Sequence, residues 1–408
     1  MKEPKIRFKG FSGEWKRSTL GDLALFSKGS GYSKSDICKE GTPVILYGRM
    51  YTKYQSVFDE IDTFVNPKDN SVVSKGGEVI IPGSGESSED ISLAAMVKNE
   101  GVILGGDLNI LKFNQKVNDP AFMSMAITYS PTRAELSSYS QGKTVVHLRN
   151  SEIAKGTIRY PDILEQNTIV NYVLSLDTQI SASTSRLDSL KQMKAASLQA
   201  MFPQEGETVP KVRFKGFDGE WKTRSLNNYA KKRTEKNVNR IYNVTLTNSA
   251  EFGIIDQRQF FDHDISNSEN IDGYFVVRDK DFVYNPRISA SAPVGPINQN
   301  KLGYPGVMSP LYLVFEVKGI NHDFLEIYFH TALWHKYMFD NGNSGARFDR
   351  LTISDDDFMR MPIPDISLAE QQSIASFFTS LDRQIALHTQ RLEKLKQIKA
   401  ACLDKMFA

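Results

Sequence analysis

The chain has 408 residues, and its 50 Lys and Arg against 48 Asp and Glu leave a formal net charge of +2, with a sequence pI of about 8.2. That length allows two or three domains, and the charge balance excludes binding a polyanion through bulk charge alone, since a strongly basic nucleic-acid binder sits above a pI of about 9. Two cysteines, Cys38 and Cys402, give neither a disulfide framework nor metal spacing, and no run approaches the roughly 18 apolar residues of a membrane span. Met1-Lys2-Glu3-Pro4 offers no apolar signal core, so a reduced, cytoplasmic chain is expected.

The chain is written twice. Residues 5–16 read Lys-Ile-Arg-Phe-Lys-Gly-Phe-Ser-Gly-Glu-Trp-Lys, and residues 211–222 repeat them with only Ile6/Val212 and Ser12/Asp218 changed. Each copy reads as the lead-in to a strand whose Trp (Trp15, Trp221) packs on its domain. Glu14-Trp15-Lys16 and Glu220-Trp221-Lys222 resemble the Glu-x-Lys of a metal-dependent nuclease, but no upstream acidic ligand stands at suitable spacing.

Between the repeated blocks lie two unlike regions, roughly 17–160 and 223–363. Both are rich in short β-type runs broken by Gly, Pro and Asn. The first holds Glu78-Val79-Ile80-Ile81, Val102-Ile103-Leu104 and Asn109–Phe113; the second holds Tyr274–Val277, Asp281–Tyr284 and Tyr312–Val317. Short helices are predicted at 120–138 and 322–340. The class is α+β.

After Pro161 and Pro364 the period changes. Positions 169, 173, 176, 180, 183, 187, 190, 194, 197 and 201 alternate spacings of four and three, the a/d seam of a coiled coil. Ile169, Val173, Leu176, Ile180, Leu187 and Leu190 carry it in the first copy, and Ile374, Phe378, Leu381, Ile385, Leu392 and Leu395 in the second. Polar seam positions recur in register (Ser183/His388, Lys194/Lys399), which predicts that the two helices pack on each other. Both copies close on Met-Phe, at Met201-Phe202 and Met406-Phe407. The expected division is a mixed α/β domain over 1–160, a long helix over 161–204, a second mixed domain over 205–363 and a second long helix over 364–408.

Reaction motifs are weak. Gln141-Gly142-Lys143-Thr144 resembles the end of a phosphate-binding loop, but Ser137 stands where its first Gly is required. Asn285-Pro286-Arg287-Ile288 lacks the second Pro and the ring of the base-holding loop of amino-methyltransferases. His147, His263, His322, His330, His335 and His388 include no zinc-type pairs. No catalytic residue and no metal ligand is assigned.

The pattern left over suits recognition. Gln141, Lys143, Thr144, His147 and Arg149 crowd one loop, and Asn343, Arg347 and Arg350 occupy the corresponding place in the second half. Asn285, Arg287 and Ser289 follow a strand, with Ser84 and Ser87 as their first-half counterparts. Tyr47, Arg49 and Lys53 interleave bases with aromatics, and Lys231, Arg233 and Lys236 form a basic cluster. Arg and Asn read guanine and adenine edges, while Lys mostly fixes register on phosphates. A stand-alone DNA-modifying enzyme and a protein-binding scaffold remain as alternatives.

Duplicated halves, divergent inserts and twin heptad helices together resemble the specificity subunit of a type I restriction–modification enzyme. The marks are Arg-Phe-Lys-Gly-Phe-x-Gly-Glu-Trp at both half starts, Pro-Asp-Ile…Glu-Gln leading into each helix, and Leu-x-x-Leu-Lys-Gln-x-Lys-Ala-Ala…Met-Phe closing it. Gln141-Gly142-Lys143-Thr144-Val145 also looks like a loop that ends such recognition domains; Gly345-Ala346-Arg347-Phe348 departs from it in the second half. The resemblance implies two recognition domains, each reading half of a bipartite, asymmetric double-stranded DNA site. It implies helices that dock two methyltransferase (modification) subunits, joined by two restriction/translocase subunits. S-adenosylmethionine, ATP and Mg are then expected in the partners, with no cofactor in this chain.

Overall fold

The computed structural model describes residues 4–142, 145–260, 271–343 and 349–407. The chain divides into two compact units, Met1–Thr184 with Gln390–Ala408, and Ser185–Thr389. Each unit therefore owns part of both long helices, Ile163–Ala200 and Leu368–Phe407.

In the first unit one five-stranded sheet runs in the order Ala24–Lys28, Leu108–Phe113, Glu78–Pro82, Ala95–Val97, Val57–Phe58. A second follows Ile37–Cys38, Phe64–Val65, Thr42–Ile45, Glu100–Leu104, Val73–Lys75. The predicted run at 78–81 is a central strand buried on both faces, which explains why it shows no alternation. Helix Pro120–Tyr129 packs beside this sheet with nearly every side chain buried. Its start is fixed by Pro120 in the first turn and by Asp119, whose carboxylate accepts from the N–H groups of Ala121 (2.8 Å) and Phe122 (3.1 Å). The expected helix over 120–138 is two helices, because Ser130 is extended and caps a second one, Pro131–Tyr139.

The second unit is built on a four-stranded sheet, Ala230–Lys232, Leu313–Val317, Phe282–Tyr284, Ile297–Gln299. Two antiparallel pairs accompany it, the hairpin Leu246–Ser249 with Gly253–Asp256 and the pair Phe275–Val277 with Gly306–Met308. Here too the expected helix divides, into His322–Phe329 and His335–Asn341.

The repeated motifs fold the same frame twice. Lys16–Thr19 pairs antiparallel with Thr157–Tyr160, and Lys222–Ser225 with Pro362–Asp365. Arg7 forms a two-pronged ion pair with Glu165 (2.7 and 2.7 Å), and Arg213 repeats it with Glu370 (2.7 and 2.9 Å). Both carboxylates are buried. The neighbouring glutamines act as staples. Gln166 accepts from the Asp119 N–H at 2.8 Å, and Gln371 from the Asn321 N–H at 2.8 Å, so each grips the cap of its own unit's buried helix. The Glu-Gln pairs read from the sequence thus lock the lead-in segment and one domain helix onto the long helix.

The Met-Phe ends exchange places. Phe407 lies 6.4 Å from Trp15 and 5.4 Å from Phe122 in the first unit. Phe202 lies 5.7 Å from Trp221 and 5.8 Å from Phe324 in the second. Each helix therefore finishes in the core of the unit it did not start in. Within the first unit Ile169 and Val173 share a core with Leu403, Met406 and Phe407, and further along Asp177 pairs with Lys399. Within the second, Lys194 pairs with Asp382 at 2.5 Å. The helices therefore run antiparallel.

Of the seam positions, Ile169, Val173, Leu176, Leu187, Leu190, Ile374, Phe378, Leu381, Leu392 and Leu395 are buried, while Ile180 and Ile385 are half-buried. Lys194 and Lys399, one of the two polar pairs on the seam, are the cations of the two ion pairs. Among the described residues no helix is long and apolar enough to cross a membrane.

Candidate nucleic-acid interface

In each unit the loop after the central strand is hydrogen-bonded to the segment that ends the domain. In the first, Ser84–Gly85 pairs with Val146–His147, and the Leu148 N–H donates to the Gly83 carbonyl at 3.0 Å. In the second, Arg287 bridges Arg350, and the Leu351 N–H donates to the Pro286 carbonyl at 2.9 Å. These are the segments that the sequence matched as counterparts.

The first-unit cluster is made mostly of neutral groups. Ser84, buried, hydrogen-bonds His147 Nδ1 at 2.9 Å. The Tyr51 hydroxyl donates to the Ser84 carbonyl at 2.5 Å, and burial raises its pKa, so it stays a donor. Tyr47 is 41% exposed and stands edge-on to Tyr51, with ring centres 6.3 Å apart. Gln141 exchanges backbone hydrogen bonds with His147 (3.0 and 2.8 Å). Gly142 has φ +133°, and a Cβ there would overlap the Val145 carbonyl oxygen, so this turn requires glycine. Arg149 is exposed beside this loop. Lys143 and Thr144 lie outside the described residues.

Other predicted contacts are engaged within the fold. Ser87 caps the helix Ser88–Ile91, accepting from the Asp90 N–H at 3.2 Å. Arg49 and Lys53 both pair with Asp62, Arg49 also lies over the Phe58 ring, and together the two cations hold the Asp62 carboxyl well below the usual range. Arg233 makes a bidentate pair with buried Asp281 (2.6 and 2.9 Å). Its neighbours Lys231 and Lys236 are exposed.

The second-unit cluster is basic and concave. Asn285, Arg287 and Arg350 line a cleft of about 200 Å³ together with Gln257, Tyr274 and Tyr312. Arg287 and Arg350 approach Asp349 only to 3.6 and 3.9 Å, and the Arg287 side chain is 66% exposed. An exposed pair at such a distance contributes little, so the Arg287 guanidinium can exchange Asp349 for another anion, while Arg350, 25% exposed, holds Asp349 at the longer distance. Asn285 is committed to the loop: its Nδ2 donates to the Asn248 carbonyl (2.9 Å) and its Oδ1 accepts from the Arg287 N–H (3.0 Å). Ser289 closes the same loop, accepting from the Ala292 N–H at 3.1 Å. Asn343 bridges Thr352 through the backbone. Arg347 lies outside the described residues.

Sequence reading missed Gln257, Tyr274 and Tyr312. Gln257 follows the strand Gly253–Asp256 and opens a helix of four residues, Gln257–Phe260. A polar residue at the end of a β-run was the signal that selected Asn285 and Arg287, and Asp256-Gln257-Arg258 carries the same one.

The model of the type I restriction modification DNA specificity domain matches residues 12–192 and again 219–397. The chain belongs to that family. It is a specificity subunit, the non-catalytic component of a restriction–modification system, in which two domains recognise DNA. The specificity chain also shares its fold with the S subunit of a type I restriction–modification system from M. genitalium. That likeness has 13% identity and a TM-score of 0.58, and covers 100% of this chain and 99% of the other. The HsdS subunit from Thermoanaerobacter tengcongensis is 16% identical with a TM-score of 0.47, over 96% of each chain. No curated protein matches the specificity chain.

Proposed function

We propose that each unit reads one half of a bipartite, asymmetric double-stranded DNA site, and that the long helices dock two methyltransferase subunits in a cytoplasmic complex. Two restriction subunits complete the assembly, with ATP-driven translocation and cleavage. S-adenosylmethionine, ATP and Mg belong to those partners, and this chain holds no cofactor of its own. One observation carries the reading: the frame is duplicated down to single ion pairs, while the loops it presents differ. Arg7–Glu165 and Arg213–Glu370 are the same staple, yet the paired loops offer Ser84 and His147 in one unit and Arg287 and Arg350 in the other. A repeated frame with unlike loops suits two different half-sites.

The near-neutral net charge supports weak DNA binding by the chain alone and tighter binding with its modification partner. That affinity falls steeply with salt as Lys and Arg contacts release counterions. Exchanging residues 223–363 for the equivalent region of a relative tests the reading. Methylation mapping then shows one half of the motif replaced and the other kept; changes in both halves refute independent reading.

A further inference from the structure

The six groups around the second-unit cleft are not equally free. Both polar ends of the Asn285 side chain are hydrogen-bonded within the protein, one to the neighbouring strand and one to its own loop, so it shapes the wall. The Tyr312 hydroxyl lies 3.2 Å from Thr247 Oγ1. Arg287 and Arg350 hang loosely on one carboxylate at the rim, leaving a positive excess. Gln257 is the exception. Its backbone is pinned, since its N–H donates to the Thr245 carbonyl at 3.0 Å. Its side-chain Oε1 is shielded from solvent and, among the described residues, has no hydrogen-bond partner.

A buried carbonyl without a donor costs about 1–3 kcal/mol of desolvation. Native proteins keep few such groups, and a functional role is one reason for keeping them. An amide presents an acceptor and a donor side by side, which matches the N6–H donor and N7 acceptor of adenine in the major groove. The flanking tyrosines give the cleft apolar walls, and the rim guanidiniums keep its mouth positive, as a neighbouring base edge or a phosphate requires. A volume of about 200 Å³ leaves room for about one base.

We propose that this cleft receives the edge of one nucleobase of the second half-site, and that Gln257 is the side chain that reads it. This rests on the reading of the chain as a DNA specificity subunit, and it names the reading residue within that function. Adenine is the base whose edge satisfies both ends of the amide. The orphaned acceptor is then a state of the DNA-free protein only.

The test is Gln257→Met in the full chain, assembled with its modification partner, with Gln257→Glu as a second variant. Met keeps the length and removes the polar end, so it relieves the unsatisfied carbonyl. The melting temperature of the DNA-free protein is expected to hold or rise, whereas a glutamine serving the fold would lose stability. Methylome mapping is expected to show tolerance of other bases at one position of the second half-site, with discrimination there falling roughly 5- to 150-fold and the first half-site unchanged. The Glu variant is expected to shift preference at that same position toward cytosine, whose N4 amine donates to a carboxylate. Unchanged discrimination, a uniform loss across all sequences, or a lowered melting temperature each overturns the assignment while leaving the specificity reading in place. Methylation without sequence preference by the wild-type assembly overturns both.

Discussion

The duplicated Arg–Glu staple should be unequal in its two directions. Arg7 gives Glu165 two hydrogen bonds of 2.7 Å, and the Glu165 side chain is 3% exposed. Replacing Arg7 by Met strands a carboxylate where water hardly reaches. Breaking a buried pair in this way costs about 3–5 kcal/mol. Replacing Glu165 by Leu strands a cation that is better provided for. Arg7 is 15% exposed and also donates to the Gly13 carbonyl at 2.5 Å and the Ser12 carbonyl at 3.1 Å. Its loss is therefore expected nearer 2 kcal/mol, about that of hydrogen bonds to a charged group. The double replacement removes both charges and should destabilise less than Arg7→Met alone.

The assay is native-state hydrogen exchange on the full chain, which reads opening free energies region by region. Arg7→Met should lower protection of the first unit's buried helix, Pro120–Tyr129, which Gln166 ties to the same stretch of long helix. Protection of the second unit's strand Phe282–Tyr284 should hold. Two results refute the reasoning: Glu165→Leu as damaging as Arg7→Met, or equal loss of protection in both units.

Glu135 gives an acid-sensitivity prediction: burial opposes its ionisation, but the Thr157 hydroxyl and N–H and the Tyr139 hydroxyl outweigh it and hold its pKa below the ordinary 4.5. Its stabilisation is thus complete above about pH 4.5 and is lost as pH falls through the lower folded value, so Glu135→Gln should flatten the acid limb of first-unit stability in pH-dependent hydrogen exchange. Arg287→Ala should cost about 1–3 kcal/mol of discrimination at one base of the second half-site in methylome mapping, and Arg347→Ala is expected to act on the same half. Arg233→Ala should instead destabilise the second unit by about 3 kcal/mol in a thermal melt, because it strands buried Asp281. A fragment of residues 1–204 lacks Leu403, Met406 and Phe407 of the first unit's core but carries Leu198, Met201 and Phe202 at the same repeat positions. Two copies can fill each other's cores, so sedimentation should find a two-fold dimer, and with the modification partner it should methylate a palindromic interrupted site; a well-folded monomer refutes it.

The sequence by itself determined the duplicated frame. Periodicity exposed the seam from Ile169 to Met201 and its copy from Ile374 to Met406, because a coiled coil writes its contacts at fixed local spacing. The strands at 78–81, 109–113 and 281–284 were legible for the same reason: β-propensity and turn residues are local signals. The tertiary structure decided how the pieces close. Arg7 and Glu165 stand 158 residues apart, and nothing at either position names the other. Nor could residue type separate Arg233, held by Asp281, from Arg287, which stays 66% exposed. The same holds for Gln257, one glutamine on a four-residue helix until the loop at 285–287 and Arg350 gather around it. Whether a polar side chain serves the fold or faces a ligand depends on which partners folding brings within about 3 Å of it. Between segments so distant in the chain, only tertiary packing sets that distance.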